Sequence, residues 1–221
     1  MNQQLMNLVM KATGETLTMV SLSTVFSLLL GLPIGVLLHV TSNEDQGGII
    51  PNPVLNSVLG RIVNVLRSFP FIILMILLIP LSRAIVGTSI GTKATIVPLS
   101  IAAAPFVARI IESALKEVDP GVIQAARAMG STNWQIIIKV MIPEAMPALV
   151  SGITLTIINL IGYSAMAGAI GGGGLGDLAI RYGYQRFRPE YMICCVVIIL
   201  VLVEVIQVIG NKIAGKMLSR R

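Results

Sequence analysis

Charge is scarce in this chain. Of its 221 residues only 12% are Asp, Glu, Lys or Arg, whereas a water-soluble domain usually carries about 25%. Histidine occurs once, as His39, and cysteine twice, at the adjacent positions Cys194 and Cys195. A histidine metal cluster or a Ser/His/Asp triad would have to be built around that one imidazole. No metal-ligand spacing surrounds the cysteines, which sit inside an apolar run as small hydrophobes and provide no disulfide framework. The pattern G-x-x-x-x-G-K-[ST] is also absent, so the sequence contains no phosphate-cradling loop. These absences argue against an enzyme: no catalytic residue, no metal and no cofactor are expected, and any ATP that drives the protein is bound by another subunit.

Apolar residues are abundant. They make up 55% of the chain, the mean hydropathy is +0.87, and they come in blocks. About 18 or more apolar residues cross roughly 30 Å of hydrocarbon as a helix. Five such blocks stand at 16–40, 55–80, 95–115, 146–169 and 191–209. The pattern predicts an all-α integral membrane protein with five transmembrane helices, in a single domain over 1–221. Pro33, Pro70, Pro98 and Pro105 predict kinks, which neighbouring helices tolerate in lipid. Ala102, Ala103, Ala104 and Ala108 would let helices approach closely. The first ten residues carry no positive charge ahead of the apolar run, and that run is too long for a signal peptide.

Five spans put the termini on opposite sides, and Lys/Arg bias sets which side is cytoplasmic. With the carboxyl terminus inside, the cytoplasmic set is Arg61, Arg67, Arg109, Lys116, Arg127, Lys139, Lys212, Lys216, Arg220 and Arg221; Lys11, Arg83, Lys93, Arg181, Arg186 and Arg188 are outside. The amino terminus is therefore expected outside. Anionic lipid accounts for the net charge of +6 without nucleic acid.

Two features inside the apolar blocks leave alternatives open. Glu204 is an intramembrane carboxylate, which suits either ion coupling or snorkelling to the interface near Lys212. Gly171, Gly173 and Gly176 match G-x-G-x-x-G, but they follow a membrane span rather than a strand. The expected role is a sharp loop between the last two spans, outside the membrane.

A polar island interrupts the pattern at 121–143, with Gln124, Arg127, Ser131, Thr132, Asn133, Gln135 and Lys139. Asp119 followed by Pro120 reads as a helix start, and Gly130 as a stop. Ser131 or Thr132 then caps a second short helix that runs to Pro143. Ala125 and Ala126 would present a smooth face for docking into a groove on a partner. Gln135 and Lys139 on an otherwise apolar segment are too few to read base edges, which argues against a DNA-binding helix pair. An interfacial amphipathic hairpin is the plain alternative.

The island, "QAARAMGSTNWQIIIKVMIP", resembles the EAA loop of ATP-binding-cassette importer permeases: Glu-Ala-Ala, three residues, Gly, nine residues, then Ile-x-Leu-Pro. Gln124, Ala125 and Ala126 take the first three positions, Gly130 the glycine, and Val140, Ile142 and Pro143 the close. Gln124 in place of Glu removes a charge but keeps an acceptor oxygen. The stretches "RSFPFIILMILLIPLSRAIVGTSIG", "AAPFVARIIE" and "GYSAMAGAIGGGGLG" are similar to the small, five-helix methionine-importer branch. The resemblance implies the type I importer permease fold and a homodimer in the cell membrane. It also implies two ATPase subunits on the cytoplasmic side and a substrate-binding lipoprotein outside. A loop at about 117–143 would then couple ATPase closure to the membrane helices through Gln124, Ala125, Ala126, Gly130 and Pro143. Phe69, Pro70, Tyr163, Ser164 and Met166 are candidate positions along the translocation path, with packing as their plain alternative. Glycine betaine or another amino acid is the alternative substrate.

Overall fold

The second apolar block is not one helix. The computed structural model describes residues 3–44 and 47–219. In it, α2 (Pro53–Ser68) and α3 (Phe71–Leu77) meet at 100°. The cause is local: a residue before proline is pushed out of the helical region, and Pro70 itself sits at φ −60° and ψ 125°. The expected single span over 55–80 is thus a bent pair, followed by α4 (Ile79–Val86).

The other blocks are longer than expected. α1 covers Gln3–Val40, α5 Thr92–Lys116 and α10 Pro189–Leu218. The fourth block begins well before 146, because a helical path continues from α7 (Asn133–Ile136) through a π-helical turn at Ile137–Met141 into α8 (Ile142–Gly168). In a regular turn the Pro143 ring would collide with the carbonyl four residues back. The widened turn directly before Pro143 is where that ladder gives way. The expected pair of short helices is therefore one short helix, α6 (Pro120–Ala128), and the first turn of a long one.

Among the described residues four helices are long and apolar enough to cross a membrane, or five spans if the bent pair is one. Among the described residues every regular element is helical. Arg220 and Arg221, counted in the charge bias, and Met1 of the amino-terminal reading lie outside the described residues.

The chain forms two compact units, at 1–27, 69–103 and 155–208, and at 28–68, 104–154 and 209–221. The first contains two buried clusters, one around Leu5, Val9, Leu175, Leu178 and Cys195, the other around Met19, Leu99, Ala103, Leu160 and Ile161. In the second unit, Gly31 and Gly35 of α1 lie against the backbone of Ala104 and Ala108 on α5, at the small-residue stripe the sequence marks out. A Cβ at those glycines would fall 2.7 and 2.5 Å from the two carbonyl oxygens, so the helices touch backbone to backbone. Among the described residues, eight Lys and Arg belong to the second unit and six to the first.

The glycine-rich segment makes the expected sharp turn after α8, with Gly171 and Gly173 at φ +82° and +81°, and continues into a buried short helix. α9 (Gly174–Leu178) is buried throughout and leads into a second π-helical turn at Ala179–Tyr184. The Glu15 carboxylate accepts the Gly174 N–H at 2.8 Å, and the Thr16 hydroxyl accepts that of Leu175 at 2.9 Å. The N–H groups that a phosphate would need are already in use.

Candidate functional site

The polar island folds as a capped helix, a tight turn and a second cap. Asp119 Oδ1 accepts the Gly121 N–H at 2.7 Å, with Pro120 in the first helical position, where its missing N–H has no cost. At the other end Gly130 takes φ +80°. Its N–H donates to Arg127 O at 2.9 Å, and the Ser131 N–H donates to Ala126 O at 3.1 Å. That pair of bonds closes α6 with a left-handed residue. Thr132 then caps α7: its hydroxyl accepts the Gln135 N–H at 3.3 Å, while Gln135 Oε1 accepts the Thr132 N–H at 2.9 Å. Such a reciprocal box satisfies two otherwise orphaned donors.

One face of this segment is anchored. Ile123 and Ala126 are buried with Ile111, Ala114, Leu115 and Val118 from the end of α5 and its exit turn, and with Ile136, Ile137 and Met141 beyond the turn. The Arg127 guanidinium donates to Ile49 O at 3.2 Å. This corrects one expectation: Ala126 is 3% exposed and belongs to the core. It is small because its own chain crowds it, and only Ala125 of the pair faces outward. Gln124, Gly130 and Pro143 are exposed as well.

The outward face is more apolar than the sequence reading allowed. Val122, Met129 and Trp134 are 40%, 80% and 69% exposed around Ala125. Trp134, the single tryptophan of the chain, was the available signal, because an aromatic within a polar stretch is a common interface anchor.

One contact ties the two groups of path candidates together, through Phe71, the residue that follows Pro70. Tyr163 stacks on Phe71 with ring centroids 4.5 Å apart and planes within 7°. Pro70 stands at the start of α3, next to Phe69, which is 41% exposed; Met166 is 48% exposed. Ser164 is buried, and its hydroxyl donates to Ile161 O at 2.7 Å, so in this conformation it serves its own helix. Glu204 stands on an exposed face of α10 and makes no ion pair among the described residues.

Residues 31–218 match the family of binding-protein-dependent transport system inner membrane components. The chain belongs to this family. The permease is 50% identical to the probable D-methionine transport system permease protein MetI of Vibrio cholerae, over 95% of this chain and 92% of that one. It is 50% identical to the methionine import system permease protein MetP of Bacillus subtilis, over 81% and 79%. Among solved structures, a chain of the MetNI methionine ABC transporter in inward-facing conformations superposes with a TM-score of 0.95 and 47% identity, covering 98% of the permease and 99% of that chain. The fold is that of a type I ABC importer permease, and the permease is a multi-pass membrane protein.

Proposed function

We propose that this permease imports methionine as a homodimer, driven by two ABC ATPase subunits and supplied by an extracytoplasmic substrate-binding lipoprotein. The observation that carries the reading is the close agreement, in sequence and backbone, with methionine transporter permeases over nearly the whole chain. The permease performs no bond chemistry. It offers a path with two states, and ATP binding on the partner favours one of them. Shifting such an equilibrium from 1:99 to 99:1 takes about 5.5 kcal/mol of differential binding, which has to enter through a contact surface. The apolar patch of Val122, Ala125, Met129 and Trp134 provides one, with Gln124 offering a hydrogen bond at its side. Gly130 sets the angle between α6 and α7, and Pro143 follows the π-helical turn that passes the motion into α8. Phe69, Pro70, Tyr163, Ser164 and Met166 line or shape the path. A mostly apolar route with few fixed charges suits a small zwitterion better than a strongly charged solute, whose desolvation would need pairing groups.

In cells lacking their own methionine importer, labelled methionine uptake should rise when the permease is expressed with its ATPase and lipoprotein genes, and not when any one is omitted. Uptake that stays flat, or that equal glycine betaine abolishes, would remove methionine as the substrate.

A cytoplasmic carboxyl terminus and an amino terminus outside are supported by the Lys/Arg bias of the sequence. A Lys216→Cys variant should react with a membrane-impermeant maleimide only after permeabilisation, and an Arg186→Cys variant in intact cells. The opposite pattern would invert the topology.

A further inference from the structure

We propose that Arg109 is a positioning residue of the transport cycle: it clamps α2 to α5, so that displacement of the coupling segment carries the α2–α3 break with it. The proposal rests on the coupling reading above and names the element that transmits it.

The clamp is made by one planar guanidinium. Arg109 Nη1 donates to Glu112 Oε2 at 2.6 Å, and Nη2 donates to both Gly60 O at 3.0 Å and Asn64 Oδ1 at 2.9 Å on α2. Glu112, with its side chain 8% exposed, also accepts Lys116 Nζ at 2.8 Å. The carboxylate thus fixes the guanidinium from its own helix, and the guanidinium grips the neighbour. A Cβ at Gly60 would stand 3.5 Å from Nη2, in ordinary contact. A return contact runs from α2, whose Arg67 guanidinium lies 5.9 Å over the Phe106 ring on α5.

Stability alone does not account for this arrangement. A buried ion pair gains little over apolar packing of the same volume, but a fork that needs one particular carbonyl and one particular amide oxygen works at a single register of the two helices. Arg109 Nε is buried and has no partner among the described residues. A buried donor left unpaired penalises the state that contains it.

The connection to the coupling segment is direct packing. Ile111, Ala114 and Leu115, on the same end of α5, share one buried cluster with Ile123, Ala126 and Ile136. Movement of α6 therefore reaches Arg109 through close-packed side chains. α2 ends at Ser68, one helical turn beyond the grip at Asn64 and directly before the Pro70 break.

The test uses the full complex in proteoliposomes, with labelled methionine, and reads transport per ATP hydrolysed alongside complex assembly. Arg109→Gln should lower that ratio about tenfold with assembly retained, as expected when the charge-assisted fork that ties α2 to α5 is lost. Arg109→Lys keeps the ion pair with Glu112 but cannot bridge both oxygens, so it should not restore the ratio. Because Arg109→Gln also strips a partner from a buried carboxylate, Asn64→Leu provides a second variant that leaves the ion pair alone; it should lower the ratio too. A wild-type ratio in Arg109→Lys overturns the proposal, as does a parallel loss of assembly and transport at constant ratio. A wild-type ratio in Arg109→Gln beside a lowered one in Gly130→Val overturns the Arg109 role alone; wild-type ratios in both overturn the coupling reading with it.

Discussion

Gly176→Ala should markedly destabilise the folded permease. A Cβ at that position would fall 2.2 Å from Ala165 O, 2.5 Å from Ala165 Cα and 2.7 Å from Ala165 C. All three atoms are backbone, so no side chain can rotate away, and α9 would have to separate from α8. The contact is reciprocal: a Cβ at Gly168 would lie 2.1 Å from Asp177 N. Separation would also pull Gly174 and Leu175 off Glu15 and Thr16, and loosen Leu175 and Leu178 from the cluster they share with Leu5 and Val9. Overpacking of this kind typically costs about 1–3 kcal/mol, and more where backbone must move, against a total stability of roughly 5–15 kcal/mol for a folded domain. The melting temperature in detergent should fall by about 2–4 °C for each kcal/mol lost, and the yield of monodisperse protein on size-exclusion chromatography should fall with it. Gly215→Ala, whose Cβ would meet nothing within 4 Å, is the control and should behave as wild type. Equal yield and melting temperature for Gly176→Ala would show that the α8–α9 contact is looser than the structure has it.

Gly130→Val should uncouple transport from ATP hydrolysis while the protein stays folded. The site is open, with nothing within 4 Å of a Cβ, yet the backbone sits at φ +80°. The penalty is therefore conformational rather than steric crowding by neighbours. A left-handed backbone costs an ordinary L-residue about 1–2 kcal/mol, and a β-branched one is worse placed. The turn has an alternative available: it can give up the bonds from Gly130 N to Arg127 O and from Ser131 N to Ala126 O and re-aim α6 relative to α7. The orientation of Trp134 relative to Val122 and Met129 would then change. The membrane-spanning helices are untouched, so expression and dimer formation should persist while methionine transported per ATP falls about tenfold, the change that roughly 1.4 kcal/mol produces. Gly130→Asn, which tolerates the left-handed region, should fall much less. Transport at the wild-type ratio in the Gly130→Val variant would mean that the turn does not set the docking angle.

How far the sequence could be read depended on whether a signal was local. The caps of α6 and α7 were legible because each is made by residues within three positions: Asp119 bonds Gly121, and Thr132 and Gln135 bond each other. The left-handed Gly130 was legible because glycine adopts that conformation at little cost. The membrane class followed from composition alone, since a chain with so little charge cannot cover a water-soluble surface. The 100° break was not legible. Pro70 announces a kink, but whether a kink becomes a turn-back depends on what packs on either side of it.

Tertiary structure decided which face of each helix is inward, and there the sequence reading of Ala126 failed. Ala125 and Ala126 are chemically identical, and only the cluster of Ile111, Leu115 and Met141 makes one a core residue and the other a surface. Gly171 and Gly173 form the expected turn at positive φ, but its packing is set by the carboxylate of Glu15, 159 positions away, which takes the N–H of Gly174. Arg109, too, reads in sequence as one more cytoplasmic cation; its grip on Gly60 and Asn64 spans 49 and 45 positions. Local chemistry determined the caps, the turn and the membrane itself, because those free energies depend on neighbours in the chain. The buried face of α6, the folded-in glycines and the Arg109 clamp depend on side chains that only packing brings together.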